Sequence, residues 1–577
     1  MTAQSGASPL QQATNDGPTH LSNATPPEEM PHTFNPSRSF ILAFSSICLV
    51  TLTSALDATS LSIALPIITD RLHGTAIQAF WSGTAFLVAS GVVQPMVLFS
   101  SACFALGSLV AALSTGFTMM IIGRSIQGTG GGGMLAMGEI LITDLVPLAA
   151  RGSWLGAYSG VWAIGTVVGP LMGGGFAQAS HSGWRWIFWI NLPLIGVGVV
   201  ATIFFLRIKQ LGGTFWEAVR SFDWMGSTIG VAATVAFLIP ISWGGTMFAW
   251  ASWHTLVPLL VGAAGLVAFG LYEYRLSLRT SKDHHQGRIA PSRRSHTHTQ
   301  PIIRPGIFRN WTLRLAYFQT LTHGILLWSL LYFLPLYYEG VKGYSPIIAA
   351  VAILPETLLT APTSVLTGLA ITRVKHYRWA IWIGWALTTV GFALLTLLSP
   401  STTIPSFIFL NVPVSIGTGI TFTAMSLAIQ AAADPKDAAF AITFYSFIRV
   451  IGQSLGIAIG GAVFQNQIFS ELSSAADDWL ASHAAEFGRD ATSLVGVIAG
   501  MSGEKEKEEL TRAFARALKM VWIVMTALSG VMFISSIFVQ SYPLEQEHKT
   551  LQGLAEAEKK SKRGESAIRD EIGNEGY

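Results

Sequence analysis

Charge is what this chain lacks most. Only 12% of its 577 residues are Asp, Glu, Lys or Arg, while 51% are apolar, against roughly a quarter charged in soluble domains. No Asp, Glu, Lys or Arg occurs in the 52 positions from Leu72 to Gly123. Such a composition excludes a water-soluble globular chain and points to an integral membrane protein. Cysteine is almost absent: Cys48 and Cys103 both fall inside apolar runs, which excludes a disulfide framework. No Walker A sequence occurs, so a phosphate cradle for ATP is missing. The net charge of +3 is too slight to argue for a nucleic-acid partner. The two-residue alternation of barrel strands is also absent, so the spans are helices.

About fourteen apolar runs of bilayer length lie between Phe40 and Val539. The first is too long for a signal peptide, and residues 1–38, rich in Ser, Thr, Pro, Asn and Gln, read as a disordered tail. The expected organisation is a six-helix bundle over 39–206, two inserted spans over 207–274, a polar basic linker over 275–311, a second six-helix bundle over 312–541 and a charged tail over 542–577. The fourteenth span is placed at 516–541. Lys and Arg collect in alternate connections, at Arg38, Arg151, Arg207 to Arg220, Arg275 to Arg309 and Arg373 to Arg378, which predicts cytoplasmic termini. The linker histidines His284, His285, His296 and His298 fit a solvated cytoplasmic segment better than a metal site. The Lys559–Arg563 cluster can touch anionic lipid. Asn23 and Asn310 fit the glycosylation pattern on the side where it is not used.

Glycines give the architecture its register. Gly165, Gly169, Gly173 and Gly174 recur at the same spacing as Gly452, Gly456, Gly460 and Gly461, with Pro170 replaced by Ile457. A glycine every fourth residue makes a helix face that a second helix can approach closely. The first copy lies in span 5 and its echo in span 13. Gly128-Thr129-Gly130 in span 4 likewise matches Gly417-Thr418-Gly419 in span 12. Two markers offset by eight spans predict a parallel internal repeat, six spans, two inserted, six more. Gly128, Gly130 and Gly133 also spell a dinucleotide fingerprint. Its required strand and aqueous phosphate site are absent, so no cofactor is expected.

Ionisable residues within spans are costly and read as functional candidates. Asp57 lies about seven residues before the outer end of span 1 and Arg124 about six after the outer start of span 4, each about 10 Å deep at 1.5 Å per residue. Equal depth predicts an ion pair, either static or proton-responsive. Glu356 in span 10 and Arg449 in span 13 offer a counterpart in the second bundle. Glu139, near the end of span 4, is expected to snorkel, and His323 in span 9 to be an interior or proton-carrying histidine.

These residues resemble the signature motifs of the major facilitator superfamily. They are Leu56-Asp57-Ala58-Thr59 with Ala64-Leu65-Pro66, Arg124-Ser125-Ile126-Gln127-Gly128, and Gly165 to Gly174. Trp184-Arg185-Trp186 and Asn191-Leu192-Pro193, with the span count, resemble its fourteen-span drug:proton antiporter branch in fungal form. The resemblance implies the all-α fold of two six-helix bundles with two inserted helices, and a non-enzymatic, cofactor-free monomer. It would exchange a hydrophobic or amphipathic small molecule, a metabolite, toxin or antifungal, for protons across the plasma membrane. It ties Asp57, Arg124 and Gln127 to substrate and proton coupling. It assigns Gly165, Gly169, Pro170, Gly173 and Gly174 to the interface-sealing antiporter motif, and Gly368, Thr372, Arg373 and Arg378 to a cytoplasmic latch.

The first bundle departs from the family in its latch. Gln94-Pro95-Met96 runs directly into Val97-Leu98-Phe99, with no room for the charged loop between spans 2 and 3. Fusing the two spans would invert every later loop against the Lys and Arg pattern, so both spans are expected to persist, joined by a tight turn near Pro95. Uptake, vacuolar loading or loss of transport through the missing latch are the alternatives to export. Sequencing the transcript across Met96 and Val97 distinguishes a true deletion, which leaves the two codons adjacent, from a skipped exon, which restores the loop in frame.

Overall fold

The computed structural model describes residues 36–90, 97–205, 223–243, 248–285, 301, 303–435, 437–475, 477–489 and 494–544. The amino-terminal tail to residue 35, Pro95 with the turn expected there, His296, His298 and the Lys559–Arg563 cluster lie outside them. Fourteen span helices follow one another in the described residues. The first six are α1 (Arg38–Arg71), α2 (Ala76–Ser90), α3 (Val97–Ala112), α4 (Phe117–Leu145), α5 (Leu148–Ala179) and α6 (Gly183–Phe205). Two more, α7 (Trp224–Trp243) and α8 (Trp253–His285), precede the last six. These are α9 (Trp311–Val341), α10 (Pro346–Val374), α11 (Arg378–Leu395), α12 (Ile404–Ala432), α13 (Ala438–Ser473) and α14 (Glu504–Ser536).

Eleven of these are long and apolar enough to cross a membrane by length and composition. Of the other three, α2 and α3 are short, at 15 and 16 residues, and α4 is diluted by glycine. Both helices flanking the missing loop are therefore present, on either side of residues 91–96. Two boundaries differ from the expectation. α14 starts at Glu504 rather than near 516, because Glu504 to Arg516 continue the helix beyond its apolar part. α8 runs on through Arg275 and Arg279 to His285, so the first part of the expected linker is helical.

The burial pattern suits lipid as solvent. Leu366, Phe204, Leu260 and Phe409 are each more than half exposed, a surface that water would not tolerate at this extent. The windows of α9 and α12 are 94% and 78% buried and those of α7 and α8 28% and 17%, so the former are central and the inserted pair is peripheral. α7 and α8 pack on each other, and α7 also touches α2 and α13.

The two six-helix sets use equivalent contacts. α5 packs along α1, and α13 along α9, in both cases through the glycine ladders. Gly169 and Gly173 leave no room for a Cβ beside the backbone of Leu56 and Ser60, and Gly452 and Gly456 none beside the carbonyls of Leu321 and Ile325. Thr59 Oγ1 donates to the Gly165 carbonyl at 3.0 Å, and Ser329 Oγ to that of Gly456 at 3.0 Å. Pro170, which has no N–H to give, lies buried inside α5. The second marker needs a shift of register. Gly130 packs on α3 at Ser100 and Phe104, and it is Gly417, not Gly419, that packs on the equivalent α11 at Gly384 and Thr388. With that pairing both spacings to the ladders, Gly130 to Gly165 and Gly417 to Gly452, become 35 residues.

The sets meet through α5 against α10 and α2 against α13, with α4 also touching α13. Each thus lends its second and fifth helix, the arrangement a parallel repeat generates about a shared axis. Gly173→Ala is expected to push α1 from α5 and cost about 1–3 kcal/mol, while Gly175→Ala, whose Cβ would meet open space, is expected to change stability by less than about 0.5 kcal/mol. Unfolding midpoints in detergent check this; equal losses at the two positions would contradict it.

Candidate functional site in the membrane interior

Asp57 is the only charged residue in α1 between Arg38 and Asp70. It stands in a run of Ser, Thr and Ala, and side chains of α4 and α6 reach it. Its Oδ2 pairs with the Arg124 guanidinium. Its Oδ1 accepts hydrogen bonds from Gln127 Nε2 at 2.8 Å and Asn191 Nδ2 at 2.9 Å. Arg124 and Gln127, three residues apart, share one face of α4, and the guanidinium also donates to Gln127 Oε1 at 2.7 Å. Arg124 Nε donates to the Ser82 carbonyl of α2 at 3.1 Å. Ser108 of α3 accepts from Gln127 at 2.7 Å and from Asn191 at 3.3 Å. Phe86 covers the guanidinium at 4.4 Å and Phe188 stands at 5.8 Å.

Asp57, Arg124, Gln127, Asn191 and Ser108 are all essentially inaccessible to solvent. The site therefore gathers α1, α2, α3, α4 and α6 around one charge pair. The depth arithmetic brought Asp57 and Arg124 together; Ser82 and Ser108 carry no sequence signal that sets them apart from other span serines. Tyr332 of α9 approaches from the second set, its hydroxyl against Gly83.

Glu356 and Arg449 do not meet. α10, which carries Glu356, packs on α5 and α12, whereas α13, which carries Arg449, packs on α9, α14, α2 and α4. Arg449 instead reaches Glu139 of α4, with Nη2 at 3.2 Å from Oε1, and Ser446 donates to the other carboxylate oxygen. Glu139 does not snorkel: it is 3% exposed, because α13 passes close enough to α4 to supply its partner in place. Glu356 is also buried, and its Oε2 has no hydrogen-bond partner among the described residues.

The expected latch residues separate as well. Gly368 crosses Gly152 of α5 with no space for a Cβ on either side, and Thr372 lies against Gly152 too. Arg373 is exposed, and the Arg378 guanidinium lies 4.8 Å from the Trp382 ring. Beside this crossing, Arg151 of α5 donates to the carbonyls of Val146 and Thr143 and to Gln430 Oε1 of α12 at 3.2 Å. At the other end of α5, Gly174 packs on the Pro346 backbone. The six-helix sets thus touch at both ends of α5.

Two repeated six-helix sets of apolar helices, touching at both ends of α5 and holding buried charges between and within them, define a membrane carrier. Residues 47–218 and 218–457 match the Major Facilitator Superfamily, and the chain belongs to that family. It is 43% identical over 539 residues to "MFS transporter L2" of Phoma sp. (strain ATCC 20986 / MF5453), covering 91% of this chain and 86% of that one. It is 34% identical to "MFS-type efflux pump LUC4" of Fusarium sp, covering 95% and 96%, and 33% identical to "Efflux pump FUS6" of Gibberella moniliformis (strain M3125 / FGSC 7600), covering 93% and 94%. Among solved structures, a bacterial homologue of the human lysosomal transporter Spinster, inward-facing and occupied, superposes with a TM-score of 0.53 at 17% identity. It covers 88% of this chain and 97% of its own and speaks for the fold alone.

Removing one member of a buried pair strands the other charge at a cost of about 3–5 kcal/mol. Asp57→Asn and Arg124→Gln are each expected to lose stability on that scale, and the double variant less than the sum of the two. A double-mutant cycle of unfolding free energies measures the coupling; additive losses would show that the pair contributes nothing as a pair.

Proposed function

We propose that the chain is a proton-driven exporter of small hydrophobic or amphipathic molecules, working by alternating access from the plasma membrane with both termini in the cytoplasm. The observation that carries the proton part is Asp57, a carboxylate at membrane depth that is fully buried and paired within one helix set. A residue so costly to place is retained for a task. A proton arriving at Asp57 neutralises it, weakens its hold on Arg124 and frees Gln127 and Asn191 to rearrange around Ser108. This is a local charge change able to bias a two-state bundle. The absence of a Walker A sequence leaves an ion gradient, or the substrate's own, as the energy source.

The relatives named as efflux pumps support the outward direction. The glycine ladder that seats α5 on α1 supports rigid-body motion, since a helix pair packed without side chains between them moves together. Gly165, Gly169, Pro170, Gly173 and Gly174 then act as the seal within the first set. Gly152 against Gly368 and Thr372 acts as the contact that must open towards the cytoplasm. Glu356, lacking a partner on one oxygen, is a second place for a proton, in the other set.

Inverted membrane vesicles with an acidified interior test this. Adding an organic extract of the culture filtrate is expected to release protons with the wild-type chain, read as recovery of acridine orange fluorescence. Asp57→Asn, compared at equal membrane amount, is expected to show roughly a tenth of the response or less, the scale of one lost charged interaction. Full recovery with Asp57→Asn would remove the assigned role, and no recovery with wild type would refute proton-driven export.

A further inference from the structure

The two deep arginines are held in opposite ways. Among the described residues, Arg124 finds its hydrogen-bonding partners, Asp57, Gln127 and the Ser82 carbonyl, within the first six-helix set. Arg449 has its acidic partner, Glu139, in the other set. The pairing is made through a single nitrogen at 3.2 Å, and Nη1 is turned instead to the Tyr445 hydroxyl at 3.2 Å. A planar guanidinium is built to grip a carboxylate with two parallel bonds, and here that grip is not taken up. Arg449 is backed by two rings, Phe422 at 4.8 Å and Tyr445 at 4.9 Å, which leave its polar edge to face an anion and offer apolar surface beside it.

A second group points to the same place. His323 of α9 is 1% exposed. Its Nε2 lies 3.1 Å from the Thr418 carbonyl, which fixes the proton there and leaves Nδ1 as an acceptor. Nδ1 has no partner among the described residues. The imidazole lies 6.1 Å from the same Phe422 ring that backs Arg449. α9 and α13 also touch backbone to backbone here, with Gly324 against the Arg449 carbonyl. A buried acceptor without a donor among the described residues and a buried cation whose counter-charge belongs to the opposite set therefore stand beside one aromatic ring.

We infer that Arg449 recognises an acidic group on the transported molecule and that Glu139 is the counter-charge that occupies Arg449 between transport events. The inference rests on the export reading above and names its substrate class: amphipathic organic acids, a carboxylate or comparably acidic oxygen on an apolar body, with a hydroxyl or N–H that His323 Nδ1 accepts. When the sets part at this level, Glu139 leaves with α4 and Arg449 stays with α13. The stranded cation is then satisfied by the substrate's anion in the two-bond geometry that Glu139 does not use. A neutral molecule cannot replace the charge that Glu139 withdraws, and leaves Arg449 unpaired.

The test is made in the host strain with the gene deleted and then complemented by wild type, by Arg449→Gln, or by Glu139→Gln with Arg449→Gln. The double variant strands no charge, so it keeps the question open to an answer if the single variant folds poorly. Membrane amounts are equalised by a fluorescent tag, and culture filtrates are split on an anion exchanger at pH 8. Wild type is expected to restore compounds that the exchanger retains, and both variants to lower them roughly tenfold or more, the range of a lost charged hydrogen bond, with neutral compounds unchanged. Restoration of neutral compounds only, or wild-type levels of acids with the double variant, would overturn the inference and leave export standing. If wild type restores nothing, the export reading itself fails and the inference with it.

Discussion

Lipid gives a buried charge nothing to bind, so each one inside the membrane has to be satisfied by the protein itself. That constraint explains more of this molecule than any other. Asp57 and Arg124 answer it locally: five helices converge on one pair, and Gln127, Asn191, Ser108 and the Ser82 carbonyl take up the remaining hydrogen-bonding capacity. Glu139 and Arg449 answer it across the boundary between the two sets. The first solution is contained within one set. The second bridges the two.

The internal repeat is faithful in packing and not in charge. Both sets lay their fifth helix on their first through a glycine ladder, and they exchange their second and fifth helices at the interface. Counting six residues back from Gly130 and from Gly417 places Asn411 where Arg124 stands. Asn411 donates to the Tyr338 hydroxyl at 2.9 Å rather than to a carboxylate. Close helix contact depends on the backbone and is preserved by a few glycines, whereas a charge pair needs two matched substitutions. The second set has kept the geometry and holds a neutral amide where the first holds the arginine.

Much of this was legible in the sequence, and the limits are physical. Span count follows from run length, because bilayer thickness fixes it. The pairing of Asp57 with Arg124 follows from depth. Depth fails for Glu356 and Arg449, because rise per residue gives a position along the axis and not the direction a helix faces or the neighbour it faces. Glu139 was misplaced for the same reason: nearness to a helix end suggests an escape to water only if no other helix covers it. The Gly-Thr-Gly marker was matched by identity, whereas the equivalent positions are those that meet equivalent helices, two residues away. α14 begins earlier than hydropathy indicates, since a helix continues past the apolar stretch that made it visible.

The central claim is that the two sets move against each other about contacts at both ends of α5, Gly152 with Gly368 and Gly174 with Pro346. Spin labels at Ala150 with Arg373 and at Gln178 with Ile348, in a chain whose Cys48 and Cys103 are replaced by Ser, report the two ends by distance measurement in lipid nanodiscs. Between neutral and acidic pH, lengthening at one end is predicted to accompany shortening at the other. Distances that rise and fall together, or that do not change at either end, would contradict the account.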